Sequence, residues 1–422
     1  MERYSEYKDS GVKWLGEIPS HWELRKMKYT FDERSQKGFP NEPLLAATQN
    51  HGVILKSQYE NRTVEAVKSL DTLKLVEIGD FVISLRSFQG GLEYAHNRGI
   101  ISPAYTILTP THIKASFFKH LSKSDIFISL LKSSITGIRE GQNIDYNKLK
   151  ESLLPIPPEE EQNAMGLYLD AATSKIDKAI VMQQKMIDLL NERKQIIIQN
   201  AVTKGLDENV EMKDSGVEWI GMIPKHWKIL KLKRCASIKT GTTPPTNERK
   251  YFDGGRIYWF TPGDLNDLHL EFASKMITQK AIDDKVGRLF PAKTIYFVGI
   301  GATVAKVSAC DFAASSNQQI NAIICKESLG YRFATYVLKS EQEFIRNMAN
   351  YVTLPIINQS DTGLIDMIVP PKSEQQAIVA YLDEEMQHFD SAISNCQRQI
   401  TLLQERKQII INEVVTGKVK VS

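Results

Sequence analysis

Two stretches of the chain place mostly apolar residues at alternating steps of three and four. The first runs Met165, Leu169, Ala172, Ile176, Ala179, Gln183, Ile187, Leu190, Lys194, Ile197, Ala201. The second runs Leu382, Glu385, Phe389, Ala392, Cys396, Ile400, Leu403, Lys407, Ile410, Val414. Such a seam predicts two long helices packed as a coiled coil. No proline falls between Pro157-Pro158 and Thr203, or between Pro370-Pro371 and Thr416, and acidic residues just after each pair suit a helix N-terminus. About 44 residues rising ~1.5 Å each give a rod of roughly 65 Å. Around Gln183 and Cys396 two steps of four fall together, a stutter that locally unwinds a supercoil. The seam is narrow and sustained in both copies, which favours packing of the two helices against each other over packing of each on its own domain's core.

The remaining segments read as sheet with some helix. Strand signals are Phe81-Val82-Ile83-Ser84-Leu85, Ile100-Ile101 and Tyr105-Thr106-Ile107-Leu108, with Ile257-Tyr258-Trp259-Phe260, Thr294 to Val298 and Ile320 to Ile324 further on. Phe117 to Leu131 and Phe333 to Met348 are amphipathic at helical spacing. Each middle is therefore an α/β (α+β) domain with a substantial sheet.

The chain also repeats itself. Lys8-Asp9-Ser10-Gly11-Val12-Lys13-Trp14-Leu15-Gly16-Glu17-Ile18-Pro19-Ser20-His21-Trp22 returns from Lys213 to Trp227, with eleven of fifteen positions identical. Pro157-Pro158-Glu159-Glu160-Glu161-Gln162 returns at Pro370 to Gln375, Tyr168-Leu169-Asp170 at Tyr381-Leu382-Asp383, and Glu192-Arg193-Lys194-Gln195-Ile196-Ile197-Ile198 at Glu405 to Ile411. The opening block recurs at an offset of 205 and the closing blocks at 213, so the second middle is eight residues longer. Similar frames carrying dissimilar middles suit a scaffold with two specificities better than a single active site. The expected division is residues 1–156 and 207–369 as the two domains, with helices at 157–206 and 370–422.

Composition narrows the function classes. The 422 residues are 42% hydrophobic and 24% charged, ordinary for a globular chain, and no apolar run approaches the length of a membrane helix. The N-terminus lacks an apolar signal core. Four cysteines without C-x-x-C spacing fit free thiols in a reducing cytoplasm. A net charge of +3 is too slight for binding driven by bulk charge, so an anionic partner must be held by local patches.

The duplicated frame, with D-S-G-V-x-W-x-G-x-I-P-x-H-W openings and P-P-x-x-E-Q helix starts, resembles the specificity subunit of type I restriction-modification systems. Lys239-Thr240-Gly241-Thr242-Thr243-Pro244-Pro245 and Trp259-Phe260-Thr261-Pro262-Gly263-Asp264-Leu265 are similar to motifs frequent in that family, whereas Leu44 to Asn50 departs from that wording in the first copy. The resemblance implies two target-recognition domains separated by two long antiparallel coiled-coil helices, with an internal pseudo-twofold repeat. Each domain would bind half of a split site on double-stranded DNA. Two adenine-methylating subunits would dock on the helices and two motor-nuclease subunits would complete the complex. S-adenosylmethionine, ATP and magnesium would then belong to those partners, and this chain would be a non-catalytic, cytoplasmic subunit with no membrane contact.

The residues agree with a non-catalytic role. No Asn/Asp-Pro-Pro-Tyr/Phe tetrapeptide of adenine methyltransferases occurs, and Thr243-Pro244-Pro245-Thr246 lacks both ends. There is no phosphate-binding G-x-x-x-x-G-K-S/T and no H-E-x-x-H. Phe297-Val298-Gly299-Ile300-Gly301 reads as a strand and loop matching Ile83 to Gly90 in the first copy. The alternative is a self-sufficient DNA methyltransferase or nuclease with an unfamiliar site; a coiled-coil assembly protein without a DNA role would leave the divergent middles unexplained.

DNA readout needs side chains on loops held by a rigid sheet. In the first domain the candidates are Gln49, Asn50, Arg86, Ser87, Gln89, Arg98, Arg139 and Gln142. In the second they are Lys239, Thr240, Thr242, Thr243, Lys250, Lys306, Asn317 and Gln318. Arg86 and Arg98 suit guanine, and Asn317 and Gln318 suit adenine. Trp14, Trp22, Trp219 and Trp227 recur in both copies, which suits packing rather than readout of two different half-sites. Glu192-Arg193-Lys194 and Glu405-Arg406-Lys407 fit either a solvated helix flank or a docking surface.

Overall fold

The computed structural model describes residues 2–59, 70–84, 87–136, 143–351 and 354–421. Its contacts divide into two compact units, one of Met1–Gln184 with Gln397–Ser422 and the other of Lys185–Cys396. The long helices run Glu159–Lys204 and Lys372–Val415, so each unit holds part of both. The division falls beside Gln183 and Cys396, where the seam stutters.

In the first unit, the strands Phe31–Arg34, Thr106–Pro110, Phe81–Ile83 and Glu93–Tyr94 lie side by side, antiparallel throughout. In the second, Ala236–Thr240, Ile320–Cys325, Thr294–Val298 and Val307–Cys310 take the same order and direction. Both units add an opening hairpin, Tyr7–Asp9 with Glu17–Pro19 and Met212–Asp214 with Met222–Pro224. Both also pair a strand near the front of the domain with the strand that precedes the long helix, Glu23–Lys26 with Leu153–Ile156 and Lys228–Lys231 with Asp366–Val369. The repeat written in the sequence is thus a repeat of topology. The second unit differs by a three-stranded sheet in which Ile257–Phe260 pairs with Met276–Ile277 and, in parallel, with Ser315–Ser316.

The repeated motifs explain how each domain grips a helix. Trp22 and Trp227 are fully buried. The Trp22 indole donates to Glu161 Oε2 at 3.0 Å, and Trp227 donates to Glu374 Oε2 at 2.8 Å. His21 and His226 meet the other oxygen of the same carboxylates at 2.7 and 2.8 Å. The neighbouring Gln162 amide donates to Pro157 O and accepts from Lys114 N, and Gln375 does the same with Pro370 O and Gly330 N. About two helical turns later Asp170 accepts from Lys119 and meets His120, while Asp383 takes Arg332 and Tyr336. Each motif residue therefore positions a domain on its helix. Trp14 packs edge-on against Phe127 and Trp219 lies on Phe344, completing the packing role of the tryptophans.

Each unit also contains an antiparallel stretch of the helix pair. In the first, Met165 and Leu169 share a core with Ile411, Val414 and Val415, and Asp177 pairs with Lys407 at 2.7 Å. In the second, Ile198, Ala201 and Val202 share a core with Ile378, Leu382 and Met386, and Lys194 pairs with Asp390 at 2.5 Å. The two ion pairs are the same pair with the copies' roles exchanged. They place the seam lysines against an aspartate of the opposite helix. Both helices end in a glycine with positive φ seated on the buried indole, Gly205 (φ 78°) on Trp227 and Gly417 (φ 71°) on Trp22. The helix that closes each domain's core thus comes from the other copy of the repeat.

Among the described residues no helix is long and apolar enough to cross a membrane.

Candidate nucleic-acid interface

In the first unit the tight turn between Leu45–Thr48 and Gly52–Leu55 carries Gln49 and Asn50, both exposed. Gln49 Nε2 lies 3.4 Å from Gln89 Oε1, which brings two of the expected loops together. Lys123 fastens them, donating to Gln49 O at 3.3 Å, Gly90 O at 2.8 Å and Glu93 Oε2 at 2.8 Å. Glu93 is buried, and that burial raises its pKa despite the ammonium beside it. Lys123 was not legible in sequence, because it sits in the Ser-Lys-Ser break between two short helices.

Other first-unit candidates are occupied within the protein. Ser87 is fully buried and its hydroxyl accepts from Ser84 N at 2.8 Å, closing the turn. Arg98 is held by Glu42 at 2.9 Å and Glu77 at 2.5 Å. Arg86, Arg139 and Gln142 lie outside the described residues.

In the second unit the loop after Ala236–Thr240 rests on the loop after Ser315–Ser316. Thr242 N donates to Ser316 O at 2.9 Å, and the Thr243 hydroxyl meets Gln318 Oε1. Gly241 permits this approach, since a Cβ there would stand 2.2 Å from Asn317 O. Among the described residues the buried hydroxyl of Thr242 has no partner, nor do those of Ser315 and Ser316. Asn317 is buried and turned inward, its amide bonded to Gln319 at 3.0 Å, whereas Gln318 is exposed. Lys239 is exposed and pairs with no carboxylate among the described residues. Thr240 hydrogen-bonds Asn321 at 2.9 Å and Gln359 at 3.2 Å.

Two lysines stand away from this cluster. Lys306 donates to Asn266 at 2.8 Å, and Lys250 pairs with Glu248 and covers the Tyr251 ring at 4.7 Å. Asp264 of the Thr-Pro-Gly-Asp-Leu segment caps its own turn through Thr261 N at 2.7 Å and Ser274 N at 2.8 Å. Burial alone would push its pKa up, but these hydrogen bonds outweigh it and hold the carboxyl below its usual range. Gly299 has a packing role, because a Cβ would lie 2.7 Å from Ile357 O. That leaves the glycine-containing loop as the strand-and-loop element expected from the sequence.

The type I restriction modification DNA specificity domain family matches residues 224–403. A putative type I restriction enzyme MjaX specificity subunit of Methanocaldococcus jannaschii is 23% identical, across 98% of each chain. The chain is similar to type I specificity subunits along its whole length. A chain from a structure described as the basis of complex assembly and conformational transition of the type I R-M system superposes with a TM-score of 0.74. It is 17% identical, covering 95% of this chain and 99% of that one. The HsdS subunit of Thermoanaerobacter tengcongensis superposes at 0.53, with 17% identity and 97% and 100% covered. These two likenesses establish the shared fold.

Proposed function

We propose that this chain is a non-catalytic specificity subunit that recognises a bipartite double-stranded DNA site, one half per α/β domain, across a gap fixed by the two long helices. The observation that carries this reading is the repeat itself. The Trp, His and Gln bonds that seat each domain on its helix are duplicated, whereas the loop clusters on the sheets carry different sets of side chains. A frame kept constant around two different reading surfaces is what a split site demands.

In this reading the exposed residues Gln49, Asn50 and Gln89 read one half, with Thr243, Gln318 and Lys239 on the other. Lys250 and Lys306 contribute phosphate contacts. Ser87, Thr240, Thr242 and Asn317 shape the loops, and Arg98 contributes only where its two carboxylates release it. Half-site centres lie about one helical turn, ~34 Å, apart. Two adenine-methylating subunits dock along the helices and two motor-nuclease subunits join them. Those partners hold S-adenosylmethionine, ATP and magnesium, and the complex works in the cytoplasm.

Selection from a random-sequence duplex pool, with the chain assembled with its methylating subunits, tests the assignment. Two short motifs should be enriched, and a Thr243→Ala, Gln318→Ala variant should relax one of them alone. Enrichment of no motif overturns sequence recognition. Relaxation of both overturns the assignment of one half to each domain.

A further inference from the structure

The strand Ala236–Thr240 forms one edge of the second unit's sheet. An edge strand leaves outward backbone groups that must find partners. At Thr240, the last residue of the strand, two side chains supply them. Gln359 Oε1 accepts from Thr240 N at 3.3 Å, and Arg288 Nη1 donates to Thr240 O at 2.7 Å. The hydroxyl of Thr240 lies 2.9 Å from Asn321 Oδ1 and 3.2 Å from Gln359 Oε1, and Asn321 is buried and fixed by Thr362 Oγ1 at 2.9 Å.

This arrangement sets the direction of both long side chains. The amide of Gln359 must present its oxygen to the Thr240 N–H, so its NH2 group is left facing outward. Arg288 spends one nitrogen on the Thr240 carbonyl, which orients the plane of its guanidinium. Both residues are exposed, and no acceptor among the described residues takes the Gln359 NH2 or the remaining N–H groups of Arg288. No carboxylate among the described residues pairs with Arg288, in contrast to Arg98, whose charge is met twice. The station adjoins Gly241-Thr242-Thr243 and Gln318, and its neighbour Lys239 adds unpaired positive charge.

What faces outward is therefore donor-only. In the major groove guanine alone presents two adjacent acceptors, N7 and O6, whereas adenine pairs an acceptor with a donor and cytosine offers a donor. We propose that Arg288 and Gln359, splinted side by side on Thr240, read the N7 and O6 edge of a guanine in the half-site recognised by the second unit. The proposal rests on the bipartite recognition reading above and names a base and two residues within it.

The test uses the full chain assembled with its methylating subunits and duplexes in which each guanine of the selected half-site is replaced in turn by 7-deazaguanine. For the unaltered chain, one such replacement should weaken binding roughly tenfold, the loss expected for one of two base-edge contacts. Arg288→Ala should bind the ordinary duplex roughly tenfold more weakly and be indifferent to 7-deazaguanine at that position. Gln359→Ala should lose discrimination at the same base pair. Arg288→Lys, with melting temperature measured alongside, separates lost readout from lost folding. A uniform loss on every sequence with a shallower salt dependence marks a phosphate contact and overturns the proposal, as does equal sensitivity of Arg288→Ala and the unaltered chain to 7-deazaguanine. If the unaltered complex shows no sequence preference, the failure lies with the bipartite reading.

Discussion

The indole of Trp227 donates its single hydrogen bond to Glu374, the third residue of the second long helix. Trp22 makes the same bond to Glu161. The tryptophan closes the opening block of a copy and the glutamate opens its helix, so one bond locks two parts of the frame around each α/β domain. Trp227→Phe removes the donor while keeping most of the packing and should cost about 1–2 kcal/mol. Trp227→Ala should cost about 3–5 kcal/mol. Urea denaturation of the full chain measures both, and no cost for Trp227→Phe would show that the bond contributes nothing beyond packing.

The reciprocal ion pairs Lys194–Asp390 and Lys407–Asp177 make a second prediction. Both aspartates are more than half exposed, so each pair should contribute only about 0.3–1 kcal/mol. Lys194→Glu should destabilise by more than that, because it sets two carboxylates together. Adding Asp390→Lys should recover most of the loss. A double-mutant cycle read by denaturant unfolding checks the coupling, and strictly additive effects would remove the pair from the account.

Glu341 lies buried between two helices of the second domain, Tyr331–Ser340 and Gln342–Asn347. Burial pushes its carboxyl up to about 7, with the Ser340 hydroxyl opposing only weakly. Between the ordinary carboxyl value and about 7 the folded chain keeps a proton that the unfolded chain has released. Stability therefore falls as pH rises through that window. Glu341→Gln should flatten this slope and stabilise the chain by about 1–3 kcal/mol above pH 7. Melting temperatures between pH 5 and 8 give the comparison, and parallel curves for the two chains would refute the assignment.

Much of this architecture was legible in the sequence. The seam positions predicted for both helices are buried or half-buried, from Met165 to Ala201 and from Leu382 to Val414, because a sustained three-four spacing leaves one face for a partner. The strands Thr294–Val298 and Ile320–Cys325 stand where their apolar runs lie. The stretch from Phe117 to Leu131 instead forms two helices, since Ser124 caps the second by accepting from Phe127 N. The candidate interface was harder to read. Ser87 and Asn317 have polar side chains in loops yet are turned inward, and Arg98 is claimed by Glu42 and Glu77, 56 and 21 residues away. Arg288 and Gln359 escaped notice for the same reason, because only the fold brings them to Thr240.

Helix length should set the gap between half-sites. Four residues added to or removed from both long helices change their length by about 6 Å, close to two base pairs. The modified sequence should keep both halves and alter only the number of bases between them. An unchanged gap would exclude the helices as the ruler.

The most direct test of the account is to co-express the chain with its methylating subunit and map modified adenines by single-molecule sequencing. The account predicts a split motif of two defined halves with a constant gap, and replacement of residues 24–150 should change one half only. A continuous motif, or an assembled complex that modifies nothing, would contradict it.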